Sequence, residues 1–420
     1  MIVNDWFWMV MPMGRYLRVA GFVTVAAFAV SGCAAQLIRT PVPANLVDRA
    51  TIKDAPDVRY WGDALPKNIR QAFVVSDQQT RKMRPHLYKR GRRKAVKFLA
   101  ISGGGSHGAF GAGLFVGWTA AGTRPEFDLV TGVSTGALSA PFVFLGPGYD
   151  RQLKEIYTRY GTEQLIEKQV IAGLLGGASI ADNSKLAEVI ASYVNRDLMR
   201  AVAREHNRGR RLLISTTNLD AERPVVWDMG RIAQRGNKQG LALFRKILLA
   251  SAAIPAVFPP VIINVTAGGR KLQELHVDGG TTGQVFFLPP QLLVRNVVPG
   301  KRRPLSKNTS LDLYIVMNGS LSPKFETVAT RTTDIAGRSL WTIMKQQAIG
   351  DLYKLYVEAR NNRMSYRLAS IPDSFTMKSS EPFDLKYMRA LFQKGFDLGK
   401  SGYDWSRLPP GLTAETALKR

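Results

Sequence analysis

Two glycine-rich turns within residues 97–140, each directly after a short apolar run, restrict this chain more than any other feature. The first is Ser102-Gly103-Gly104-Gly105-Ser106-His107-Gly108 after Lys97–Ile101; the second is Gly132-Val133-Ser134-Thr135-Gly136 after Phe127–Thr131. Backbone passing sharply from strand to helix comes too close to its neighbours for a Cβ, which is why glycines gather there. The second turn has the G-x-S-x-G pattern of a bend that exposes a serine hydroxyl, with Gly132 and Gly136 flanking Ser134. The first offers what such a serine needs. Its consecutive glycines enter a helix and present bare N–H groups to a developing oxyanion. Singly, each turn has another reading. G-x-S-x-G also serves as a plain tight turn. Gly103-x-Gly105-x-x-Gly108, with Asp128 20 residues on, fits a dinucleotide fingerprint. Asp128, however, begins the second strand, whereas a ribose-binding acid sits at its end.

A third stretch, Leu275-His276-Val277-Asp278-Gly279-Gly280, reads as a strand ending in Asp-Gly-Gly. The order G-G-G-x-x-G, G-x-S-x-G, D-G-G resembles the patatin-like phospholipase family. Phe127-Asp128-Leu129-Val130, Leu212–Asp220 and Ala250–Pro260 are similar to its bacterial members, so the resemblance spans roughly residues 95–400. It implies an α/β fold, a three-layer α/β/α sandwich with a mostly parallel central sheet. It also implies a Ser–Asp dyad without histidine: Ser134 as nucleophile and Asp278, 144 positions downstream, as base. The oxyanion hole falls on Gly103, Gly104, Gly105 and Gly108, with the amides of Gly104 and Gly105 as donors. Phospholipid or lysophospholipid as substrate rests on the resemblance alone. Ser102 stands where the family commonly has aspartate, and His107 where it has arginine or lysine. Neither change touches the backbone donors, but a neutral imidazole weakens the positive charge at that corner.

The histidines are His86, His107, His206 and His276, and none follows Asp278, which disfavours the chain order of an α/β-hydrolase triad. His276 lies two residues before Asp278 on the same strand face and is expected to be packed or hydrogen-bonded. No metal-ligand cluster is evident and serine acyl chemistry needs no cofactor, so none is expected.

The net charge of +26 and pI near 10.3 predict attraction to anionic surfaces. Without zinc-finger, helix-turn-helix or aromatic RNA-binding patterns, an anionic lipid surface ranks above nucleic acid. Between Arg81 and Lys97 there are nine basic residues and no acidic one, equally a solvated connector or a lipid contact. The single cysteine, Cys33, excludes an intramolecular disulfide. It follows Arg15 and Arg18, the apolar run Val19–Val30, and Ser31-Gly32, which resembles a bacterial lipoprotein cleavage box. Acylation of Cys33 is therefore expected, and Ala34 resembles lipoproteins sent to the outer membrane of a Gram-negative-type envelope. A retained leader acting as a plain anchor is the alternative.

The expected organisation is a leader (1–32), a lead-in without clear helical periodicity (33–95), one catalytic domain (96–400) and a tail (401–420). Helices are expected over Gly136–Leu145, Arg151–Gln164, Lys185–Val194, Leu198–His206, Leu241–Ala253, Thr332–Asn361 and Leu385–Gly399. Strands are expected over Arg211–Thr217, Val225–Met229, Pro259–Val265, Leu272–Val277, Leu311–Met317 and Tyr366–Ile371, and Ile171–Ser179 reads as an apolar loop. The expected function is a membrane-phospholipid acyl hydrolase. Its rival keeps the fold without the reaction, as a lipid-anchored binding or envelope-organising lipoprotein.

Overall fold

The computed structural model describes residues 39–413 apart from 65, 67–68, 90–91, 94, 169–180 and 288–308. The leader with Cys33, the apolar loop at 171–179 and the end of the tail lie outside the described residues. The elements that position the site are, in chain order, β1 (Arg59–Trp61), α1 (Ile69–Met83), β2 (Ala95–Ile101), α2 (Gly108–Ala120), β3 (Leu129–Val133) and α3 (Thr135–Leu145). Next come α4 (Asp150–Arg159), α5 (Thr162–Leu165), α6 (Ser184–Tyr193), α7 (Arg196–Asn207), β4 (Arg211–Asn218), β5 (Arg223–Asp228) and α8 (Lys238–Ser251). The series ends with β6 (Val261–Ala267), β7 (Arg270–Asp278), β8 (Ser310–Met317), α9 (Thr332–Asn361), β9 (Met364–Ser370) and α10 (Leu385–Lys400).

Strands β4, β3, β2, β8 and β9 lie side by side in that order and run parallel. Val96, Phe98 and Ala100 of β2 face one core while Leu99 and Ile101 face the other; β8 divides Leu313, Ile315 and Met317 from Tyr314 and Val316. Burial on both sides is why these strands read as continuous apolar runs. Helices α2, α3, α4, α7, α8 and α10 cover one face, and α9 covers the other through Leu352, Leu355 and Ala359. The result is the three-layer α/β/α sandwich.

Helix α2 is apolar on every side because it is buried on every side. Its tightest neighbour is α10. A Cβ on Gly113 or Gly117 would stand 2.0 Å from the carbonyl oxygen of Phe392 or Phe396. One on Gly395 or Gly399 would stand 2.3 Å from that of Phe110 or Leu114. Two glycine pairs at four-residue spacing therefore bring the helix backbones into contact.

Three expectations need correction. The lead-in contains a 15-residue helix, α1. It is held by polar contacts instead of an apolar stripe: the Ser76 hydroxyl donates to the Gly209 carbonyl (2.6 Å), and Arg211 donates to Gln79 (2.9 Å). The helix expected over Arg151–Gln164 is broken between α4 and α5, where the Gly161 amide donates to the Gln164 side chain (2.9 Å). Finally, the strand carrying Asp278 does not extend the parallel set. β7 pairs antiparallel with both β6 and β4. Asp278 reaches the crevice because its strand runs towards it from the opposite direction, opposite Thr216.

Gly113→Ala or Gly395→Ala is expected to lower unfolding free energy by about 1–3 kcal/mol, since backbone on both sides must move. Gly337→Ala, in α9 with open space around it, is expected to raise it by about 0.5–1 kcal/mol. Urea unfolding compares them, and an equal response in both helices would contradict the close packing.

Candidate active site

Strand β3 ends at Val133 and α3 begins at Thr135, which leaves one residue to make the turn. That residue, Ser134, has φ 54° and ψ −124°, a left-handed conformation that costs a non-glycine residue on the order of 1–3 kcal/mol. A Cβ on Gly132 would lie 2.5 Å from the Gly136 carbonyl oxygen, and one on Gly136 2.4 Å from that of Ile101. The flanking glycines are thus required by backbone contact. The Ser134 amide donates to the Ser251 hydroxyl (3.0 Å), which donates in turn to the Ser215 carbonyl (2.7 Å).

Asp278 is buried beside it. Its amide donates to the Ala253 carbonyl (2.9 Å), and its Oδ1 accepts from the Gly280 amide (2.7 Å). Oδ2 has no hydrogen-bond partner of ordinary geometry among the described residues. Burial pushes the carboxyl up to about 7, opposed by the neighbouring Ser134 hydroxyl and the Gly280 amide. A serine hydroxyl next to a carboxylate of near-neutral pKa is an arrangement able to transfer the hydroxyl proton at neutral pH.

The first glycine turn lies against this pair. A Cβ on Gly103 would be 3.2 Å from Ser134 Cβ and 3.9 Å from its Oγ. Of the four glycines expected to form the oxyanion hole, two have their amides engaged. Gly103 donates to the Gln284 carbonyl (3.0 Å), and Gly108 donates back to the carbonyls of Gly105 and Ser106. Gly108 has a packing role instead, because a Cβ there would meet Thr135 Oγ1 at 2.1 Å. The amides of Gly104 and Gly105 make no hydrogen bond among the described residues, at φ 147° and 55°.

Side chains that the sequence reading missed hold this loop from both sides. Asn318, at the end of β8, donates from its amide to the Ser102 hydroxyl (2.8 Å) and from Nδ2 to the Ser102 carbonyl (2.9 Å). Gln284 donates from Nε2 to the Gly280 carbonyl (2.8 Å), while its own carbonyl takes the Gly103 bond. Ser251, Gln284 and Asn318 carry no local pattern. Only the stretch Ala250–Pro260, already similar to bacterial patatins, pointed to one of them.

None of the histidines hydrogen-bonds to Ser134 or Asp278. His276 is fully buried between Thr216 Oγ1 (2.9 Å) and Glu274 Oε2 (3.0 Å), and Glu274 also pairs with Arg59. His107 lies against the Tyr387 ring, tilted by 55°, and burial, with Lys324 adding to it, pushes its imidazole down to about 4. His206 lies near Asp228 and His86 is exposed. Asp128, the acid of the dinucleotide reading, accepts from Arg84 (2.9 Å) and from the Lys97 amide (2.9 Å) at the start of β3. That is the end of the strand away from the glycine turns. Arg84 itself is buried, so the basic stretch 81–97 is not wholly a solvent face. Among the described residues no group of three or more potential metal ligands occurs.

A narrow apolar cavity of about 60 Å³ opens on Gly105 and Ser134 and runs between Leu138, Ile190, Leu248 and Phe258.

The buried carboxyl makes a stability prediction. Because its folded pKa lies above the ordinary aspartate value, ionising it destabilises the fold as pH rises from about 4 to about 7. Asp278→Asn is therefore expected to be more stable than wild type above that window, on the order of a few kcal/mol, with the gain fading as pH falls through it. Thermal unfolding across this range checks it. A gain independent of pH would mean that the Asp278 carboxyl titrates normally.

Residues 99–290 match the family model for patatin-like phospholipases. No curated protein matches the chain. Among solved structures it is similar to VipD from Legionella pneumophila, at 12% identity and TM-score 0.36, over 73% of this chain and 66% of that one. It is also similar to human GIVD cytosolic phospholipase A2, at 13% identity and TM-score 0.33, over 68% of this chain and 51% of that one. The chain thus spans just under two thirds of the first structure's length and about half of the second's. With its three glycine motifs gathered at one crevice inside the matched span, the chain carries a domain of the patatin-like phospholipase family.

Proposed function

We propose that the chain is a serine acyl hydrolase cleaving ester bonds of phospholipids or lysophospholipids. The observation that carries this reading is the strained Ser134 beside the buried, near-neutral Asp278, at the mouth of an apolar cavity. Asp278 takes the hydroxyl proton as Ser134 Oγ attacks the ester carbonyl carbon. The amides of Gly104 and Gly105 hold the resulting oxyanion. When the tetrahedral adduct collapses, the C–O bond to the lipid breaks and the leaving oxygen takes the proton from Asp278. Water then gives a proton to Asp278 and attacks the acyl carbon; the fatty acid leaves and the proton returns to Ser134. The cavity receives the acyl chain, and the positive charge of the protein favours acidic head groups. We also place the protein at the cell envelope, anchored through an acylated Cys33 on the periplasmic face of the outer membrane. Cys33→Ala is expected to abolish acylation and release the protein from membranes, and a variant still acylated would overturn that placement.

Fluorophosphonate labelling tests the reaction. Wild type is expected to label, and Ser134→Ala and Asp278→Asn to lose labelling by about 100-fold or more. A folded wild type that does not label, with or without phospholipid vesicles, would favour the silent lipoprotein. Ile190→Trp, inside the cavity, is expected to lower turnover of a long-chain 4-nitrophenyl ester relative to a short-chain one by about tenfold. An unchanged ratio would place the acyl chain elsewhere.

A further inference from the structure

Helix α9 covers the sheet only with its second half. From Thr332 to Ile343 nearly every side chain is exposed, and no residue before Ala348 is buried. Six of the ten large apolar side chains found exposed among the described residues lie between Phe325 and Ile343. Phe325 is 95% exposed, Ile343 65%, and Trp341 and Ile335 49% each. Apolar surface concentrated in this way marks a contact with something else.

The position of this surface ties it to the catalytic crevice. Helix α9 connects β8 to the parallel β9, so its first turns rise from the sheet edge where β2 and β3 end in the two glycine turns. The segment before the helix leaves directly from Asn318, whose carbonyl oxygen would lie 2.0 Å from a Cβ on Gly104. Lys324, in that segment, is close enough to His107 to act on its charge. The segment is fastened back to the helix tip. Arg338 donates to the Lys324 carbonyl (2.8 Å) and pairs with Glu326 (2.9 Å), and Lys345 donates to the Ser322 carbonyl.

The chemistry of the tip selects one kind of partner. A helix that docks in a protein groove presents apolar anchors at i, i+3, i+4 and i+7 on one face. Here Ile335, Leu340, Trp341 and Ile343 are distributed around the axis, so no single groove can cover them. A fluid interface can surround such a tip. Trp and Phe beside Lys and Arg is also the composition that settles at the boundary between acyl chains and anionic head groups. Both acids of the tip are already paired, Glu326 with Arg338 and Asp334 with Arg331 (2.6 Å), which leaves Lys324 and Lys345 as surplus positive charge. The chain's net charge of +26 has the same sign.

We propose that Phe325, Ile335, Leu340, Trp341 and Ile343, with Lys324 and Lys345, form the element by which the protein docks on an anionic phospholipid surface and sets its crevice against the bilayer. This rests on the reading of the domain as a lipid hydrolase, and names the surface that presents the substrate to it.

The test uses the full chain and vesicles of phosphatidylglycerol and phosphatidylcholine in a ratio of about 3:7, some carrying brominated acyl chains. Tryptophan fluorescence of wild type is expected to be quenched by the brominated vesicles, and Trp341→Phe to lose a distinct share of that quenching. Phe325→Ser/Ile343→Ser is expected to weaken vesicle binding by about tenfold or more. Its turnover of a monomeric short-chain ester should stay unchanged, and wild type should bind pure phosphatidylcholine less. Vesicle-bound protein in which Trp341 contributes no quenching would overturn the proposal. So would a sedimenting mass that doubles in wild type and not in the double variant, which makes a second copy the occupant. If Trp341 is quenched but neither vesicle nor monomeric ester is hydrolysed, docking stands and the hydrolase reading fails.

Discussion

The end of α8 and the turn that follows it, Ser251–Ala253, hold both members of the proposed dyad, which are 144 residues apart in the chain. The Ser251 hydroxyl links the Ser134 amide to β4 through Ser215, and the Ala253 carbonyl takes the Asp278 amide. Each bond contributes only about 0.5–1.5 kcal/mol net, but leaving such a buried group unpaired costs about 1–3 kcal/mol. The turn therefore fixes the separation of nucleophile and base more stiffly than its share of the total stability would indicate. Gln284 and Asn318 do the same for the first glycine turn, through the Gly103 amide and Ser102.

The site is costly to the fold. Ser134 occupies a conformation unfavourable for any residue with a Cβ, and Asp278 is desolvated, with no hydrogen-bond partner of ordinary geometry for Oδ2 among the described residues. A sheet packed on both faces, together with the close contact between α2 and α10, supplies the stability that offsets these terms. The costs sit where the proposed chemistry requires them, a pattern in keeping with local rules being broken at functional sites. Burial lowers the pKa of both His107 and His276, so in the proposed reaction the Ser134 proton goes to Asp278 and the oxyanion is met by amides instead of imidazolium.

Much of this was legible because glycine leaves a record in sequence. Gly104, Gly132, Gly136 and Gly279 stand where backbone comes within 2.0–2.5 Å of where a Cβ would be, and Gly103, Gly108 and Gly280 where a side chain comes within 2.1–3.0 Å. The central strands were legible from apolar runs, and the bounds of α9 agree with the helix expected over Thr332–Asn361. What escaped has no local pattern. Helix α1 is held by Ser76 and Gln79 instead of an apolar stripe, and the direction of β7 depends on its pairing with β4. Ser251 contacts Ser134 across 117 positions, and Asn318 contacts Ser102 across 216. The engagement of the Gly103 amide by the Gln284 carbonyl likewise spans 181 positions and leaves no local pattern.

In the proposed reaction Asp278 takes the proton from Ser134 directly, without a histidine. The most direct measurement is the single-turnover acylation rate with a short-chain ester between about pH 5 and about pH 9. One ionisation with an apparent pKa near 7 is expected, the rate rising with pH as Asp278 loses its proton, and the same profile in His107→Gln. A flat profile, or an ionisation that disappears with His107, would contradict it.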